Sequence, residues 1–144
     1  MSQADDKSEL TPSRPRRKRT SLNKIQAQSQ LDFDVEFFGR ILERNADYVD
    51  VLRCQGELLT LRGDHARALS IDERLVQLRP GDVIIRYNLA CSLSLVHHID
   101  ECLRMLKRAI HLGYQDFDHM NQDEDLDSAR HDPRWAELFE TIKV

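Results

Sequence analysis

Residues 49–82 read VDVLRCQGELLTLRGDHARALSIDERLVQLRPGD, and residues 83–116 follow without a break as VIIRYNLACSLSLVHHIDECLRMLKRAIHLGYQD. Laid over one another at an offset of 34 residues, Val49 falls on Val83, Leu59 on Leu93, Leu61 on Leu95, Leu69 on Leu103, Arg74 on Arg108 and Leu78 on Leu112. Small residues recur too, Gly56 on Ala90 and Ala68 on Cys102. A repeat of this length in helix-forming sequence is the mark of a helix-turn-helix unit that cannot bury its apolar face alone and stacks on a neighbour.

Each copy predicts two helices. In the first, a helix from about Tyr48 to Arg62 leads through Gly63 to a second from about Asp64 to Leu78; Asp64 is the N-cap, and Pro80 with Gly81 stops the unit. In the second, Asp82 caps a helix to about Val96, His97 and His98 occupy the turn, and a helix from about Ile99 ends at Gly113. Such short turns force antiparallel neighbours. The helix at 83–96 has two apolar stripes. Ile85, Leu89, Leu93 and Val96 suit packing within the hairpin, while Ile84, Tyr87, Asn88, Cys91 and Leu95 suit either burial or a groove.

On the N-terminal side, an ordered helix is expected to begin near Leu31, capped by Asp32 or Asp34, with Phe37, Phe38, Ile41 and Leu42 on one face. Stepping back by the repeat length places Arg40, Ile41 and Leu42 under Arg74, Leu75 and Val76, so this helix matches the second half of an earlier hairpin. Residues 1–30 are polar, contain Pro12 and Pro15, and are expected to be disordered. They hold RPRRKR at 14–19; Arg14, Arg16, Arg17, Lys18 and Arg19 make a possible anion-binding tail for nucleic acid or an anionic surface. No aromatic residue is interleaved there to stack on bases. Residues 1–24 carry seven basic and three acidic groups, and the remainder carries 14 basic and 22 acidic, so a basic tail precedes an acidic body.

Past Asp116 the repeat breaks. Phe117 and Met120 suit a short helical turn, QDEDLDSARHD is acidic, and Asp132 with Pro133 opens a last helix carrying Trp135, Leu138, Phe139 and Ile142. That stripe is expected to cap the stack.

Little catalytic or metal chemistry is legible. Asp123, Asp125 and Asp127 alternate like the start of a calcium loop, but Ser128 stands where its glycine is needed and Arg134 where its closing glutamate is needed. His97 and His98 adjoin in a turn and have no second ligand pair at zinc spacing. Cys54, Cys91 and Cys102 form no metal-type pairing, and their number argues against a disulfide framework. No apolar run spans a membrane, so a cytoplasmic protein is expected, with no catalytic residues, no metal and no cofactor.

At Gly56, Leu59, Gly63, Ala68, Leu75, Leu78 and Pro80 the first hairpin resembles a tetratricopeptide repeat, and Tyr87, Asn88, Leu89, Ala90, Leu93, Cys102 and Ala109 carry the likeness into the second. The second departs at Arg86, His97 and Tyr114. LDSARHDPRW resembles the closing segment found after the last such repeat. The resemblance implies a short right-handed all-α solenoid: residues 31–47 a half-repeat helix, 48–81 and 82–115 two repeats, and 116–144 a C-terminal cap. It also implies a non-catalytic scaffold that holds a protein or peptide on its concave face. By position that face presents Arg53, Glu57 and Thr60 from the first repeat and Tyr87, Asn88, Cys91 and Leu95 from the second. Asn88 can donate to and accept from a peptide backbone at once, and Arg53 can grip a carboxylate with two hydrogen bonds. A second copy of the chain is a further candidate occupant of the same face.

Overall fold

The computed structural model describes residues 16–140, with side chains described from residue 21 onward. Eight α-helices follow in order: α1 Arg16–Arg44, α2 Val49–Leu61, α3 His65–Leu78, α4 Val83–Leu95, α5 Ile99–His111, α6 Phe117–Gln122, α7 Asp127–Arg130 and α8 Glu137–Glu140. Two 3-10 turns, Glu124–Leu126 and Pro133–Ala136, sit among the last three, and no strand occurs among the described residues. The helices α1 to α5 each pack on the next in sequence, giving an all-α stack of antiparallel pairs. Among the described residues no helix is long and apolar enough to cross a membrane.

The repeat is visible in backbone detail. Gly63 and His97, one repeat length apart, both take left-handed conformations, with φ of 83° and 62°. Each closes its helix with the same two bonds. Gly63 N donates to Thr60 O at 3.0 Å and Asp64 N to Leu59 O at 2.9 Å; His97 N donates to Ser94 O at 3.0 Å and His98 N to Leu93 O at 2.9 Å. These satisfy carbonyls that the helix end would otherwise leave unpaired. Gly113 repeats the device after α5, at φ 114°. The predicted caps are also present: Asp64 accepts from Arg67 N and Asp82 from Ile85 N. Within the pairs, Gly56, Ala68, Ala90 and Cys102 are buried where the helices come closest. A Cβ at Gly56 would lie 3.2 Å from Asp72 Oδ1 and 3.4 Å from Ile71 Cγ2, so a larger residue there would require Asp72 to shift by a few tenths of an ångström.

Three expectations need correction. First, α1 begins at Arg16 rather than near Leu31, so residues 16–30, expected to be disordered, are helical. The disorder reading weighed only apolar burial. The stretch 16–38 has no Gly or Pro and is rich in Arg, Lys, Gln and Leu. Such sequence extends a helix whose packed part already exists, because nucleation is the costly step. Asp32 and Asp34 are therefore mid-helix and not caps; Asp34 accepts from Gln30 Nε2 at 2.8 Å, and Asp32 lies 3.6 Å from the Arg62 guanidinium. Residues 1–15 lie outside the described residues. Second, the inner face of α1 is formed by Leu31, Val35 and Leu42, while Phe37 points outward at 51% exposure. Gln55 Nε2 anchors that inner face by donating to Val35 O at 2.8 Å. Third, the last helix divides into the 3-10 turn Pro133–Ala136 and the short α8. Ile142 lies outside the described residues.

The cap itself is built as expected. Met120, Leu126, Ala129, Trp135 and Leu138 join Tyr87, Leu89, Leu93, Leu106 and Tyr114 in one buried cluster, so the cap and the second repeat share a core. Arg130 lies 5.5 Å over the Trp135 ring, and Arg134 reaches Asp100 of α5 at 2.7 Å. Removing the ring should leave a cavity in that shared core. Trp135→Ala is expected to cost about 3–5 kcal/mol, read as a lower urea midpoint by circular dichroism. Conversely, a non-glycine residue in the left-handed region costs about 1 kcal/mol. His97→Gly is expected to raise the midpoint by that amount; a fall would mean that the His97 contact to Ser128, at 3.3 Å, outweighs the strain.

Candidate partner-binding groove

A groove of 420 Å³ runs between α2 and α4 and is closed on one side by the cap. Its α2 wall is Arg53, Glu57, Thr60 and Leu61, one face of that helix. Its α4 wall is Ile84, Asn88 and Leu95, with Tyr87 and Cys91 lower down. The cap contributes His119, Asp123 and Asp125. Every residue assigned to the concave face from sequence thus lines one surface. They are not equally available.

Tyr87 and Cys91 form the floor, at 4% and 7% exposure, and their polar atoms are engaged inside the molecule. The Tyr87 hydroxyl donates to Asp123 Oδ2 at 2.7 Å, and its ring stacks on Tyr114 with centroids 4.5 Å apart and planes 3° from parallel. The Cys91 thiol points at the same carboxylate oxygen, at 3.7 Å. Their expected role as exposed groups is corrected accordingly: the C-terminal segment, placed by chain reversal after α5, lies across this part of α4. Burial pushes the Tyr87 hydroxyl far above its usual range, and burial with the charges of Asp123 and Asp125 pushes the Cys91 thiol well up. A thiol so held is a poor nucleophile.

Arg53 is also spoken for. Its guanidinium lies 2.6 Å from Asp82 Oδ2, while the other oxygen of Asp82 caps α4 by accepting from Ile85 N. One nitrogen of the guanidinium expected to grip a partner carboxylate is therefore already engaged within the chain. Glu57, Asn88 and Ile84 remain exposed, Ile84 at 54%.

Asp123 holds the cap wall in place. Its Oδ1 accepts from Asp125 N at 3.1 Å, and its main-chain carbonyl takes two bonds from the Arg130 guanidinium, which also donates to Asn121 O at 2.9 Å. The first arginine of LDSARHDPRW, Arg130, thus fixes the loop that delivers a carboxylate to α4. Cys91 Sγ and one oxygen each from Asp123 and Asp125 lie within 4.8 Å of one another, a donor set a cation could use. The hydrogen bonds of Asp123 are already those of a loop-holding carboxylate. Among the tail residues, Arg14 lies outside the described residues; Arg16, Arg17, Lys18 and Arg19 fall on the first turns of α1, and their side chains lie outside the description.

Sequence reading missed four titratable groove residues: Asp72, His119, Asp123 and Asp125. Asp72 had a signal. It stands four residues after Ala68 and three before Leu75, on the buried stripe of α3. It accepts a short hydrogen bond from the Ser92 hydroxyl. Desolvation pushes its carboxyl from 3.8 to about 6, offset by that bond and reinforced by the charge of Glu57. Burial and the neighbouring Asp123 raise Asp125 as well, with His65 opposing. The cap carboxylates had no comparable signal, because they reach α4 only through the long-range fold.

No protein-family model matches the chain, and a comparison with curated proteins found no match. Among solved structures it is similar to "MamA RS-1 ArsTM double mutant", at 16% identity over 83% of this chain and 71% of that one, with a TM-score of 0.57. It is similar to "MamA 41-end from Desulfovibrio magneticus RS-1" at 16% identity, 83% and 72% coverage and a TM-score of 0.57. For "MamA MSR-1 C2" the values are 16%, 81%, 71% and 0.56. At that identity the likeness is one of fold. It agrees with the repeats seen here in defining a tetratricopeptide-like helical stack.

Asp72 makes stability depend on pH. Its carboxyl holds a proton more tightly in the folded than in the unfolded chain, so its favourable contribution is complete below pH 3.8 and is lost as pH rises through about 6. Asp72→Asn keeps an acceptor for Ser92 and removes the charge. The variant is expected to match the parent near pH 4 and to exceed it at pH 7.5 by up to about 3 kcal/mol, at about 1.4 kcal/mol per pK unit. Urea unfolding at the two pH values checks this; a variant weaker at pH 7.5 would mean the fold uses the charge.

Proposed function

We propose that this chain is a non-catalytic interaction adaptor whose groove between α2 and α4 takes a segment of another protein carrying an apolar side chain beside a cationic one. The observation that carries this reading is the make-up of the groove's open part. Ile84 offers an exposed apolar surface, Asn88 beside it offers both a donor and an acceptor, Glu57 is exposed, and the carboxylates of Asp123 and Asp125 line the half-buried cap side with Asp72 buried beneath them. The charge of Arg53 is met by Asp82, which leaves the lining acidic. A groove of one sign concentrates ligands of the other and sets the rate at which they arrive. The tetratricopeptide-like fold supports the class, since stacked helix pairs create extended concave surfaces of this kind.

The deep burial and raised thiol of Cys91, together with the internal bond of the Tyr87 hydroxyl, support a structural rather than a reactive role for these two groups.

The test is selection of peptides from a random library on the full chain, followed by affinity measurement. Lys or Arg next to an aliphatic residue is the expected consensus. Ile84→Asp with Asn88→Ala should weaken the best peptide at least about tenfold, or about 1.4 kcal/mol, and Glu57→Lys should slow association and flatten its salt dependence. Selected peptides that are acidic, or that bind the double variant as well as the parent, would overturn the reading.

A further inference from the structure

Among the described residues, one side of α1 has no neighbour. Its inner face meets α2 and α3 through Leu31 and Val35. On the other side Leu22, Ile25, Phe33 and Phe37 are exposed at 63%, 62%, 63% and 51%. At 3.6 residues per turn these four and Ser29 fall on a single stripe. Phe33 and Phe37 stack with ring centroids 6.3 Å apart, and Phe38 meets Phe37 edge-on at 5.4 Å, so the aromatic end of the stripe is already ordered. A patch of this kind on a protein surface marks an interaction site.

The pattern along the stripe says what covers it. Ile25 and Phe33 lie at equal distances on either side of Ser29, and Leu22 and Phe37 are equidistant to within one residue. A stripe symmetric about its own midpoint is complementary to itself when a second copy runs antiparallel, as a two-fold contact requires. Centred on Ser29, such a pair sets Ile25 against the partner's Phe33 and Leu22 against the partner's Phe37, with a small side chain at the axis where the helices come closest. Charge selects the same direction. Residues 16–29 contain Arg16, Arg17, Lys18, Arg19 and Lys24 and no acidic residue; residues 30–44 contain Asp32, Asp34, Glu36 and Glu43 against Arg40 and Arg44. Antiparallel helices lay basic half on acidic half, and in this register Lys24 falls opposite the partner's Asp34. Parallel helices would oppose like charges.

We infer that the chain associates through α1 as an antiparallel two-fold dimer crossing at Ser29. The dimer carries two grooves, so binding to a partner that displays two segments gains from their linkage. This inference stands apart from what the groove binds.

Sedimentation of the full chain is expected to give a dimer, and Phe33→Glu with Phe37→Glu a monomer of unchanged helical circular dichroism. Register is read by disulfide trapping in the full chain carrying Cys54→Ser, which removes the exposed native thiol. Ser29→Cys is expected to oxidise to a covalent dimer. Leu22→Cys is expected to stay unlinked, because antiparallel partners hold those positions about 21 Å apart at about 1.5 Å per residue. A monomeric parent at millimolar concentration overturns the proposal. So does trapping at both positions, the mark of parallel helices, and so does a dimer that survives the two glutamates, the mark of contact through another surface.

Discussion

The rest of the structure depends on α4 having two apolar sides that both must be covered. One side is met within the stack by α3 and α5. The other is met by the C-terminal segment, which turns back after Gly113 and lays the 3-10 turn Glu124–Leu126 and α7 along α4. The Tyr87 bond to Asp123 and the Tyr87 stack on Tyr114 set where that segment lands. Because the cap crosses only part of α4, the uncovered remainder becomes the groove. Groove and cap are two outcomes of one burial requirement.

The two ends of the stack are treated differently. At the C-terminal end, Trp135, Leu138 and Met120 complete the core of the second repeat, and Arg130 and Arg134 tie the segment down through main-chain carbonyls and Asp100. Terminal repeats need such a cover, since each unit exposes an apolar edge to its absent neighbour. At the other end α1 has the sequence match of the second helix of a hairpin, and its outer stripe is exposed among the described residues.

The groove gathers carboxylates that would repel one another were all fully ionised. Three arrangements limit the cost. Burial pushes the Asp72 carboxyl up to about 6 and Ser92 bonds it, Asp123 accepts from Tyr87 and from a backbone amide, and Asp125 is raised by burial and by the charge of Asp123. The preference of buried carboxyls for the protonated form is the same preference a cationic ligand would relieve by pairing with them. Acidic lining and shifted titration are thus one property of the site.

The repeat length, the turn at Gly63, the caps at Asp64 and Asp82 and the close approach at Gly56 and Ala68 were all legible in the residues, because each rests on local backbone geometry or on spacing along one helix. The tetratricopeptide resemblance added the placement of the concave face. The early start of α1 was missed because helix propagation beyond a packed core depends on propensity and not on burial. The exposure of Phe37 was missed because two faces of one helix can each carry apolar residues, and only packing selects the inner one. Asp123, Asp125 and His119 could not be assigned to the groove, nor Tyr87 and Cys91 to its floor. Those placements rest on contacts across more than thirty residues of chain, as in the Tyr87–Asp123 pair. By itself the sequence determined the helices α2 to α5, their order and their pairing, since these follow from short-range periodicity. Which face of α4 stays open was decided only when the chain closed on itself, since burial of one surface by a distant segment is a property of the whole fold.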